Sequence, residues 1–341
     1  MPTLMLVDGN SLTYRAFHAL PPDLATASGQ ITNAVYGFTS MLINVLRDEQ
    51  PTHLCVAFDV SRQTFRSAQY SEYKANRSPM PDDLRKQIEP IHEAVKLLGW
   101  PMLEVPGIEA DDAIGTLAKR AAESGHRVLV STGDKDLAQL VNEHVSLINT
   151  MSGEALDIDG VKAKFGVPPQ RIVDYLALVG DTVDNVPGVD KVGPKTAVKW
   201  LAEHDSLDGV IAAADRIGGA VGENLKKALD WLPMGRKLVT VATDCDLTGH
   251  VKGWPSLDAL ALADVDRDAL LDFYTRFGFK TFKKELETET VRPEPVEGLR
   301  QAQPERVELT RSYETILTQD RLDHWLAKLQ AAPLVAFDTE T

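Results

Sequence analysis

Three apolar runs in the sequence, residues 4–7, 54–58 and 128–130, each end at or shortly before an aspartate. The runs are short, rich in β-forming residues and not strictly alternating, which is typical of strands buried on both faces of a parallel sheet. In such sheets, ligands bind beyond the carboxyl ends of the strands. We therefore predict that the aspartates meet at one edge of a sheet. The aspartates concerned are Asp8, Asp59, Asp134 and Asp136.

Further acidic residues lie in two segments outside these runs. Residues 107–114 read Gly-Ile-Glu-Ala-Asp-Asp-Ala-Ile at the start of a predicted helix, and residues 180–185 read Gly-Asp-Thr-Val-Asp-Asn. Taken alone, the first group is explained by the helix dipole, and the second is typical of a solvated turn. Their occurrence together with the strand-end aspartates favours metal binding. The predicted ligand set is Asp8, Asp59, Glu109, Asp111, Asp112, Asp134, Asp136, Asp181 and Asp184.

The composition of this set indicates which metal and which chemistry to expect. Crowded carboxylates repel one another unless cations lie among them. No histidine or cysteine accompanies the acids at ligand spacing, and all-oxygen sites suit Mg²⁺ or Mn²⁺ rather than zinc. We expect no lysine or arginine partners within the motifs. So many acids then suggest two ions about 4 Å apart, the arrangement used for phosphodiester hydrolysis. Mg²⁺ is the predicted cofactor, and Mn²⁺ can substitute for it.

A glycine- and lysine-rich segment, residues 187–199, indicates contact with nucleic acid. Its glycines can turn backbone N–H groups towards a phosphate, and the following helix offers its N-terminus. The spacing is typical of a helix-hairpin-helix element, which grips the sugar-phosphate backbone without reading the base sequence. An ordinary Gly-Pro turn with surface lysines is the alternative. The residues predicted to bind DNA here are Gly188, Lys191, Gly193, Lys195 and Thr196.

A second basic stretch follows the strand that ends near residue 59. Its cations alternate with the aromatic residues Phe65, Tyr70 and Tyr73. Aromatic rings among cations suit stacking on unpaired bases while the phosphates are held. A solvated loop with partly packed tyrosines is the alternative. The cations include Arg62 and Arg66, which we predict to bind DNA, together with Lys74, Arg77, Arg85 and Lys86.

The overall composition is that of a globular protein. The formal charge of −14 over 341 residues is an average, to which a carboxylate-rich metal site contributes, so it does not exclude local DNA binding. The two cysteines, Cys55 and Cys245, lack CxxC spacing, and neither a disulfide framework nor a zinc site is indicated. No apolar run approaches the ~20 residues of a membrane span, and no signal peptide is recognisable. We expect a cytoplasmic protein without a membrane partner.

The order of strand-like and helical patterns along the sequence suggests that the chain is divided into several domains or segments. Helices are expected near residues 34–47, 90–98 and 110–123, between the predicted strands. A Pro- and Glu-rich stretch has the composition of a linker. The last apolar run ends in Asp338-Thr339-Glu340, and because a domain does not normally end on its first core strand, we expect the sequence to be cut short just inside a further domain. The predicted parts are 1–170, an α/β catalytic domain; 171–285, a helical DNA-binding part; 286–312, a flexible linker; and 313–341, the start of another domain.

Taken together, these motifs resemble the 5′-nuclease (flap endonuclease) domain at the N-terminus of bacterial DNA polymerase I. The resemblance covers about residues 3–285. It implies a PIN-like α/β fold with a central, mainly parallel sheet, a helical arch built from about residues 65–90, and a mostly helical C-terminal part with the helix-hairpin-helix. The segments that carry it are 6–9, 57–59, 73–77, 107–112, 131–136, 180–185 and the hairpin.

The resemblance also implies roles for individual residues. Lys74 and Arg77 would contact the scissile phosphate, and Tyr73 would stack on a base flipped towards two Mg²⁺ ions. The hairpin would hold duplex DNA, with a K⁺ ion bound by its backbone carbonyls. In the last segment, Asp338 and Glu340 resemble the first metal-binding motif of a 3′–5′ proofreading exonuclease domain, which cannot function without the remainder of that domain.

The expected activity is Mg²⁺-dependent 5′–3′ exonuclease and flap endonuclease cleavage in primer removal and DNA repair. The expected partners are DNA with 5′ flaps, nicks or RNA primers and, in the full-length protein, a polymerase domain in cis. We expect a monomer in the bacterial cytoplasm, associated with the nucleoid. Three alternatives remain: a DNA-binding remnant with a silent nuclease, a nuclease unlinked to a polymerase, and a PIN-like ribonuclease without hairpin or arch.

Overall fold

A six-stranded sheet forms the centre of the computed structural model, which describes residues 2–149 and 155–289. The strand order is β3-β2-β1-β4-β5-β6. The first five strands run parallel, and β6 pairs antiparallel to β5 at one edge. The strands are β1 (Thr3–Asp8), β2 (His53–Phe58), β3 (Met102–Glu104), β4 (Arg127–Ser131), β5 (Val145–Ile148) and β6 (Ala155–Leu156).

Thirteen α-helices lie in the described residues, together with a small two-stranded sheet of β7 (Gly180–Asp181) and β8 (Val186–Pro187). The helices are α1 (Gly9–Ala19), α2 (Asn33–Glu49), α3 (Phe65–Gln69), α4 (Asp82–Leu97), α5 (Ala110–Glu123), α6 (Ile158–Phe165), α7 (Ile172–Val179), α8 (Pro194–His204), α9 (Leu207–Ala212), α10 (Gly219–Ala228), α11 (Leu232–Val239), α12 (Arg267–Phe277) and α13 (Lys280–Glu289).

Both faces of the main sheet are buried, which confirms the interpretation of the apolar runs. Successive side chains of a strand point to opposite faces. In β1, Leu4 and Leu6 pack into a core that includes residues of α5, α7 and α8. Met5 and Val7 pack into a second core with residues of α2, α4 and α12. The predicted mainly parallel sheet with helices on both faces is therefore correct, and it brings the carboxyl ends of β1, β2 and β4 to one edge.

The predicted helices agree with the structure to within two residues except at the start of one helix. Helix α2 is two residues longer than predicted at its C-terminal end, and α5 has the predicted bounds. Helix α4 begins at Asp82 rather than at Pro90, which lies inside it. Proline is frequent at the first position of a helix, which explains the error. The true start is marked by Asp82 and Asp83, whose charges favour the helix N-terminus.

The segment predicted as a helical arch is only partly helical. It consists of α3, a series of turns from residue 71 to 76, an irregular stretch to residue 81, and the first half of α4. The predicted linker beyond residue 289 and the segment 313–341, with Asp338 and Glu340, lie outside the described residues. The predicted boundary near residue 170 stays a prediction. No helix in the described ranges is long and apolar enough to span a membrane.

Candidate metal centre

Asp8 and Asp59 lie at the carboxyl ends of neighbouring strands, β1 and β2. Asp8 caps α1, because its Oδ1 accepts a hydrogen bond from Ser11 N at 2.9 Å, while its Oδ2 accepts one from Thr132 Oγ1 at 3.0 Å. Asp59 Oδ1 accepts a hydrogen bond from Ala110 N at 2.7 Å and so reaches the N-terminus of α5. The sheet edge thus holds both carboxylates in defined orientations.

Asp134 and Asp136 occupy the turn after β4. Asp134 Oδ1 accepts a hydrogen bond from Asp136 N at 2.9 Å, and Asp136 is only 8% exposed. Asp136 Oδ1 is buried without any hydrogen-bond partner. An orphaned carboxylate oxygen in a buried site is costly, so it requires a partner, and a cation is one that fits a carboxylate there. Asp111 adds a further carboxylate from the first turn of α5.

The pKa values of Asp8, Asp111, Asp134 and Asp136 are raised, first because these carboxylates are removed from water and then because they repel one another. Burial, with added repulsion from Asp134 and Asp59, raises the pKa of Asp8 to about 6. Burial followed by repulsion from Asp134 raises the pKa of Asp136 to about 9. The pKa of Asp111 lies well above its ordinary value, through burial first and then repulsion from Asp8. The cluster therefore favours a bound cation whenever its members are ionised.

Glu109 and Asp184 differ from these acids because cations already accompany them. Lys74 Nζ lies 3.0 Å from Glu109 Oε2 and 3.5 Å from Asp184 Oδ2. Arg77 donates to Asp184 Oδ1 at 2.5 Å. The expectation that the acidic motifs lack lysine or arginine partners is therefore wrong. Lys74 and Arg77 belong to the basic stretch of the sequence, and in the fold they contact the acidic residues directly.

Asp181 has its own cation, Lys135, whose Nζ lies 3.0 Å from Asp181 Oδ2. Burial acts to raise the pKa of Asp181, but the hydrogen bond and charge of Lys135, together with the backbone N–H groups of residues 183 and 184, outweigh it and hold that pKa below the ordinary value. Asp181 Oδ1 also accepts hydrogen bonds from Val183 N at 2.8 Å and from Asp184 N at 3.3 Å. Asp181 thus shapes the turn between β7 and β8, and its charge is already compensated.

Asp112 forms a buried ion pair with Arg66. The two Arg66 amino groups donate to the two Asp112 oxygens, each at 2.7 Å. Asp112 also accepts hydrogen bonds from Glu109 N at 3.1 Å and Ala242 N at 2.9 Å. Its oxygens are therefore engaged, and the prediction of Asp112 as a metal ligand is not supported. Arg66 is 3% exposed and also donates to Thr240 O, so its side chain is engaged within the protein and its contact with DNA stays a prediction without support from this geometry.

Tyr73 belongs to the same network, and this conflicts with the base-stacking role implied by the resemblance. Its side chain is buried, with 7% exposed. Its hydroxyl lies 3.0 Å from Glu109 Oε2 and 2.9 Å from Asp184 Oδ2, to either of which it can donate. Stacking requires an open ring face, which this conformation does not offer. Here Tyr73 instead helps to hold Glu109 and Asp184 in place.

Five carboxylates remain as the best candidates for holding a metal ion, and within the described ranges none of them forms an ion pair. They supply only oxygen ligands, which suits Mg²⁺ or Mn²⁺. As the side chains stand, no group of three or more acids, histidines or cysteines in the described part closes around one point. The five are Asp8, Asp59, Asp111, Asp134 and Asp136.

The loop that carries Asp181 and Asp184 is anchored by two glycines in contact. Gly180 has φ +81°, and a Cβ on Gly188 would lie 2.3 Å from Gly180 N. Larger residues cannot fit there without moving the backbone. Gly188, predicted to let a phosphate approach, is thus required by packing within the protein. Its assignment as a DNA-binding residue has no support in this geometry.

The remaining predicted DNA-binding residues lie on the surface. Lys191 and Lys195 are exposed around the start of α8, and Thr196 is partly buried in its first turn. Gly193 precedes the helix and faces open space, so a ligand can approach its backbone closely. Arg62 is exposed, with one amino group donating to Ser78 O at 3.1 Å. These positions are consistent with DNA contact, which stays a prediction.

Three residues of the site were not singled out from the sequence. Lys135 lies between two predicted ligands but was given no role. Asn76 donates to Thr182 O at 2.8 Å, and Asn185 donates to Glu72 O at 2.7 Å. Asparagines in turns are common and give no signal of a long-range contact. A lysine flanked by two acids, in contrast, is a signal that could have identified Lys135.

The raised pKa values predict how the stability of the metal-free protein depends on pH. A carboxyl whose pKa is higher in the folded than in the unfolded state keeps a proton on folding, so its contribution to stability falls as pH rises between the two values. For Asp8 this window runs from 3.8 to about 6, and for Asp136 from 3.8 to about 9. Each contributes a decrease of up to about 1.4 kcal/mol per pH unit in its window.

Thermal melting in EDTA should therefore show a melting temperature that falls from about pH 5 to about pH 8. Added Mg²⁺ should raise the melting temperature more at the higher pH, because fewer protons then compete for the carboxylates. A melting temperature that rises with pH, or an effect of Mg²⁺ that is stronger in acid, would contradict the raised pKa values.

A second prediction concerns the Arg66–Asp112 pair. Replacing Asp112 by alanine leaves the Arg66 guanidinium buried without its partner, which should lower the free energy of unfolding by about 3–5 kcal/mol. Urea denaturation measures this loss. Asp208→Ala is the matched control, because Asp208 pairs with Arg236 at 2.9 Å but is largely exposed. The control should cost no more than about 1 kcal/mol. Equal losses in the two variants would show that the buried pair has no special structural role.

Comparison with known proteins gives consistent matches along the described chain. Residues 3–166 match the family described as 5′-3′ exonuclease, N-terminal resolvase-like domain, and residues 167–264 match 5′-3′ exonuclease, C-terminal SAM fold. The chain is 45% identical to a 5′-3′ exonuclease of Aquifex aeolicus over 247 residues, which cover 72% of this chain and 84% of that protein.

Longer proteins and solved structures are also similar. The chain is 44% identical over 350 residues to DNA polymerase I of Pseudomonas aeruginosa, covering 99% of this chain but only 37% of that protein. The flap endonuclease of bacteriophage T5, crystallised with DNA and metal ions, superimposes with a TM-score of 0.61 at 21% identity, covering 80% of this chain and 99% of the T5 chain. At that identity the likeness establishes the shared fold.

Proposed function

The chain belongs to the 5′-3′ exonuclease family, and we propose that it is a structure-specific 5′ nuclease that hydrolyses phosphodiester bonds at 5′ flaps in DNA. One observation carries this proposal. Five carboxylates without ion-pair partners in the described residues meet where β1, β2 and β4 end, and one of them keeps a buried oxygen without a partner. Beside them lies a second group of acids neutralised by Lys74, Arg77 and Lys135.

The five carboxylates are the proposed ligands of Mg²⁺. Bound there, as two ions, Mg²⁺ would activate the attacking water and stabilise charge on the phosphate, and Mn²⁺ can substitute. The protein orients the ligands beforehand. Ser11 and Thr132 fix the two oxygens of Asp8, and Ala110 fixes Asp59. Pre-oriented ligands reduce the reorganisation needed when the substrate arrives.

Lys74 and Arg77 are proposed to exchange partners during the reaction. In the free protein they are held by Glu109 and Asp184. A phosphate is a strong acceptor for both cations, and arginine can bind it through two parallel hydrogen bonds. We propose that both side chains move from the carboxylates to the scissile phosphate when DNA binds. Glu109, Asp181 and Asp184 would then be available to hold the metal ions through water.

The DNA duplex is proposed to lie against the turn before α8. Lys191 and Lys195 supply charge, Gly193 and Thr196 supply backbone and hydroxyl groups, and Arg62 contacts the strand near the catalytic edge. Backbone carbonyls of the turn are candidate ligands for K⁺. Such contacts position the phosphate backbone without reading the sequence, which suits recognition of DNA structure.

The proposed substrates are 5′ flaps, nicks and RNA primers that arise in DNA replication and repair. Similarity to DNA polymerase I supports a polymerase domain in cis in a longer protein. We further propose that this protein acts as a monomer at the nucleoid in the bacterial cytoplasm. The chain spans about a third of the length of those relatives, 37% of the Pseudomonas protein.

The proposal is tested by comparing three end-labelled substrates with Mg²⁺: a 5′-flap duplex, a duplex without a flap, and the flap strand alone. We expect a product cut near the flap junction, formed at least about tenfold faster from the flap duplex than from the single strand. Cleavage that is equally fast on all three, or scattered along the strand, would contradict structure-specific recognition.

A further inference from the structure

The turn formed by residues 72–77 contacts the acidic loop 181–185 in two different ways. One set of contacts joins side chains to carboxylates, since Tyr73, Lys74 and Arg77 all reach Asp184. If the proposed reaction occurs, these contacts must break, because a phosphate and metal ions compete for the same groups. They cannot by themselves keep the turn in place during the reaction.

The second set of contacts uses no carboxylate. Lys74 N donates to Asp184 O at 2.9 Å. The Asn76 side chain donates to Thr182 O at 2.8 Å, and the Asn185 side chain donates to Glu72 O at 2.7 Å. All three hydrogen bonds end on backbone carbonyls, so neither metal ions nor phosphate compete for their acceptors. We call this set the clasp.

The backbone conformation supports the importance of the clasp. Lys74 has φ +56° and Asn185 has φ +57°, both in the left-handed region. Asparagine tolerates this conformation, whereas a lysine there costs roughly 1–2 kcal/mol. Surrounding contacts must therefore hold Lys74 in it. The clasp provides them on both sides of Lys74, at Glu72 and at Asn76.

We infer that Asn76 and Asn185 are positioning residues that keep the Lys74 turn fixed on the acidic loop while Lys74 and Arg77 change partners. This inference rests on the proposed function. Neither asparagine lies within hydrogen-bonding distance of the carboxylates through its side chain. Both act through the position of Lys74, so their loss should impair the chemical step more than the binding of DNA.

The first test measures the clasp without requiring activity. Amide hydrogen exchange of the metal-free protein is compared for wild type, Asn76→Ala and Asn185→Gly, since glycine keeps the left-handed backbone and removes only the side chain. Asn142→Ala is the matched control, because Asn142 also bonds to nearby backbone but lies at the opposite end of the sheet, before β5. We expect exchange of the Lys74 amide to accelerate at least about tenfold in both variants and not in the control. Unchanged exchange would overturn the clasp.

The second test measures single-turnover flap cleavage and flap affinity in the same variants, alone and combined with Lys74→Ala. We expect the rate to fall about tenfold for Asn76→Ala with affinity nearly unchanged, and to fall little further when Lys74 is already absent. Additive losses, or faster exchange with an undiminished rate, would overturn the positioning role. Wild-type protein that cuts no flap would refute the proposed function, while the exchange experiment still decides whether the clasp exists.

Discussion

Replacing Asp136 by asparagine should abolish flap cleavage and at the same time stabilise the metal-free protein. Asp136 is buried, one of its oxygens has no hydrogen-bond partner, and burial with repulsion from Asp134 raises its pKa to about 9. Asparagine keeps the size of the side chain but removes its charge. The single-turnover rate should fall by at least about 10³-fold if a metal ligand is lost. The metal-free melting temperature should rise by about 2–4 °C, the equivalent of roughly 1 kcal/mol of relieved repulsion.

Two measurements separate this prediction from a simple loss of structure. Melting in EDTA reports the folded state, and melting with Mg²⁺ should show a smaller stabilisation than in wild type. Asp215→Asn is the control, because Asp215 is exposed and lies outside the carboxylate cluster. A variant that cuts at the wild-type rate would show that Asp136 is not a metal ligand. A variant with a lower metal-free melting temperature would contradict the repulsion that the burial of the cluster implies.

Replacing Lys74 by alanine should lower the rate of the chemical step far more than the affinity for DNA. The ammonium group is mostly buried and lies 3.0 Å from Glu109 Oε2, beside the proposed metal ligands. A cation that stabilises charge on the reacting phosphate typically contributes about 10²–10³-fold to the rate. We expect a loss of that size in single-turnover cleavage at saturating protein, with flap affinity changed by less than about threefold.

Lys119→Ala provides the matched control for Lys74→Ala. Lys119 is exposed, lies in the second half of α5, and belongs to neither of the two basic segments. Its removal should leave rate and affinity near the wild-type values. Equal losses of rate and affinity in Lys74→Ala would mean that Lys74 only docks DNA. That outcome would also remove the basis for a positioning role of Asn76 and Asn185.

The sequence was a good guide to the sheet and to the acids at its edge. Apolar runs that end in aspartate have few interpretations, because a strand buried on both faces must continue into a turn at the edge of the sheet. Helix α5 begins with acidic residues and is followed by Gly125, and both of its ends were predicted correctly. Signals of this kind lie within a few residues of the strand or helix end that they mark, so the sequence alone is enough to recognise them.

The pairing of charges could not be predicted in the same way. Arg66 and Asp112 are far apart in the sequence, and nothing near either residue shows that they meet in the core. Basic side chains between aromatic residues looked like a DNA-binding surface. In the fold, however, Arg66 and Tyr73 are buried, because the chain folds the basic stretch onto the acidic cluster. Neither side chain then offers a surface to DNA. Long-range pairing depends on the tertiary fold, which the spacing of charges does not encode.

The two glycines of the acidic loop illustrate a related limit. Glycine in a turn suggests open access for a ligand, and for Gly193 the structure agrees. For Gly188 the backbone of Gly180 occupies the space where a side chain would be. Glycine therefore allows a ligand to approach the backbone in one place and allows two backbone segments to pack closely in another. Only the three-dimensional arrangement separates the two uses.

The most direct test of the central claim is single-turnover cleavage of an end-labelled 5′-flap duplex by the wild-type chain, first with Mg²⁺ and then with EDTA, with a 5′-blocked flap alongside. The carboxylate cluster predicts cutting near the flap junction that requires Mg²⁺ and is slowed by the blocked end. Cutting that persists in EDTA would contradict the assignment of the five carboxylates as a metal centre. Tight flap binding without cutting in Mg²⁺ would contradict the nuclease and leave DNA binding alone.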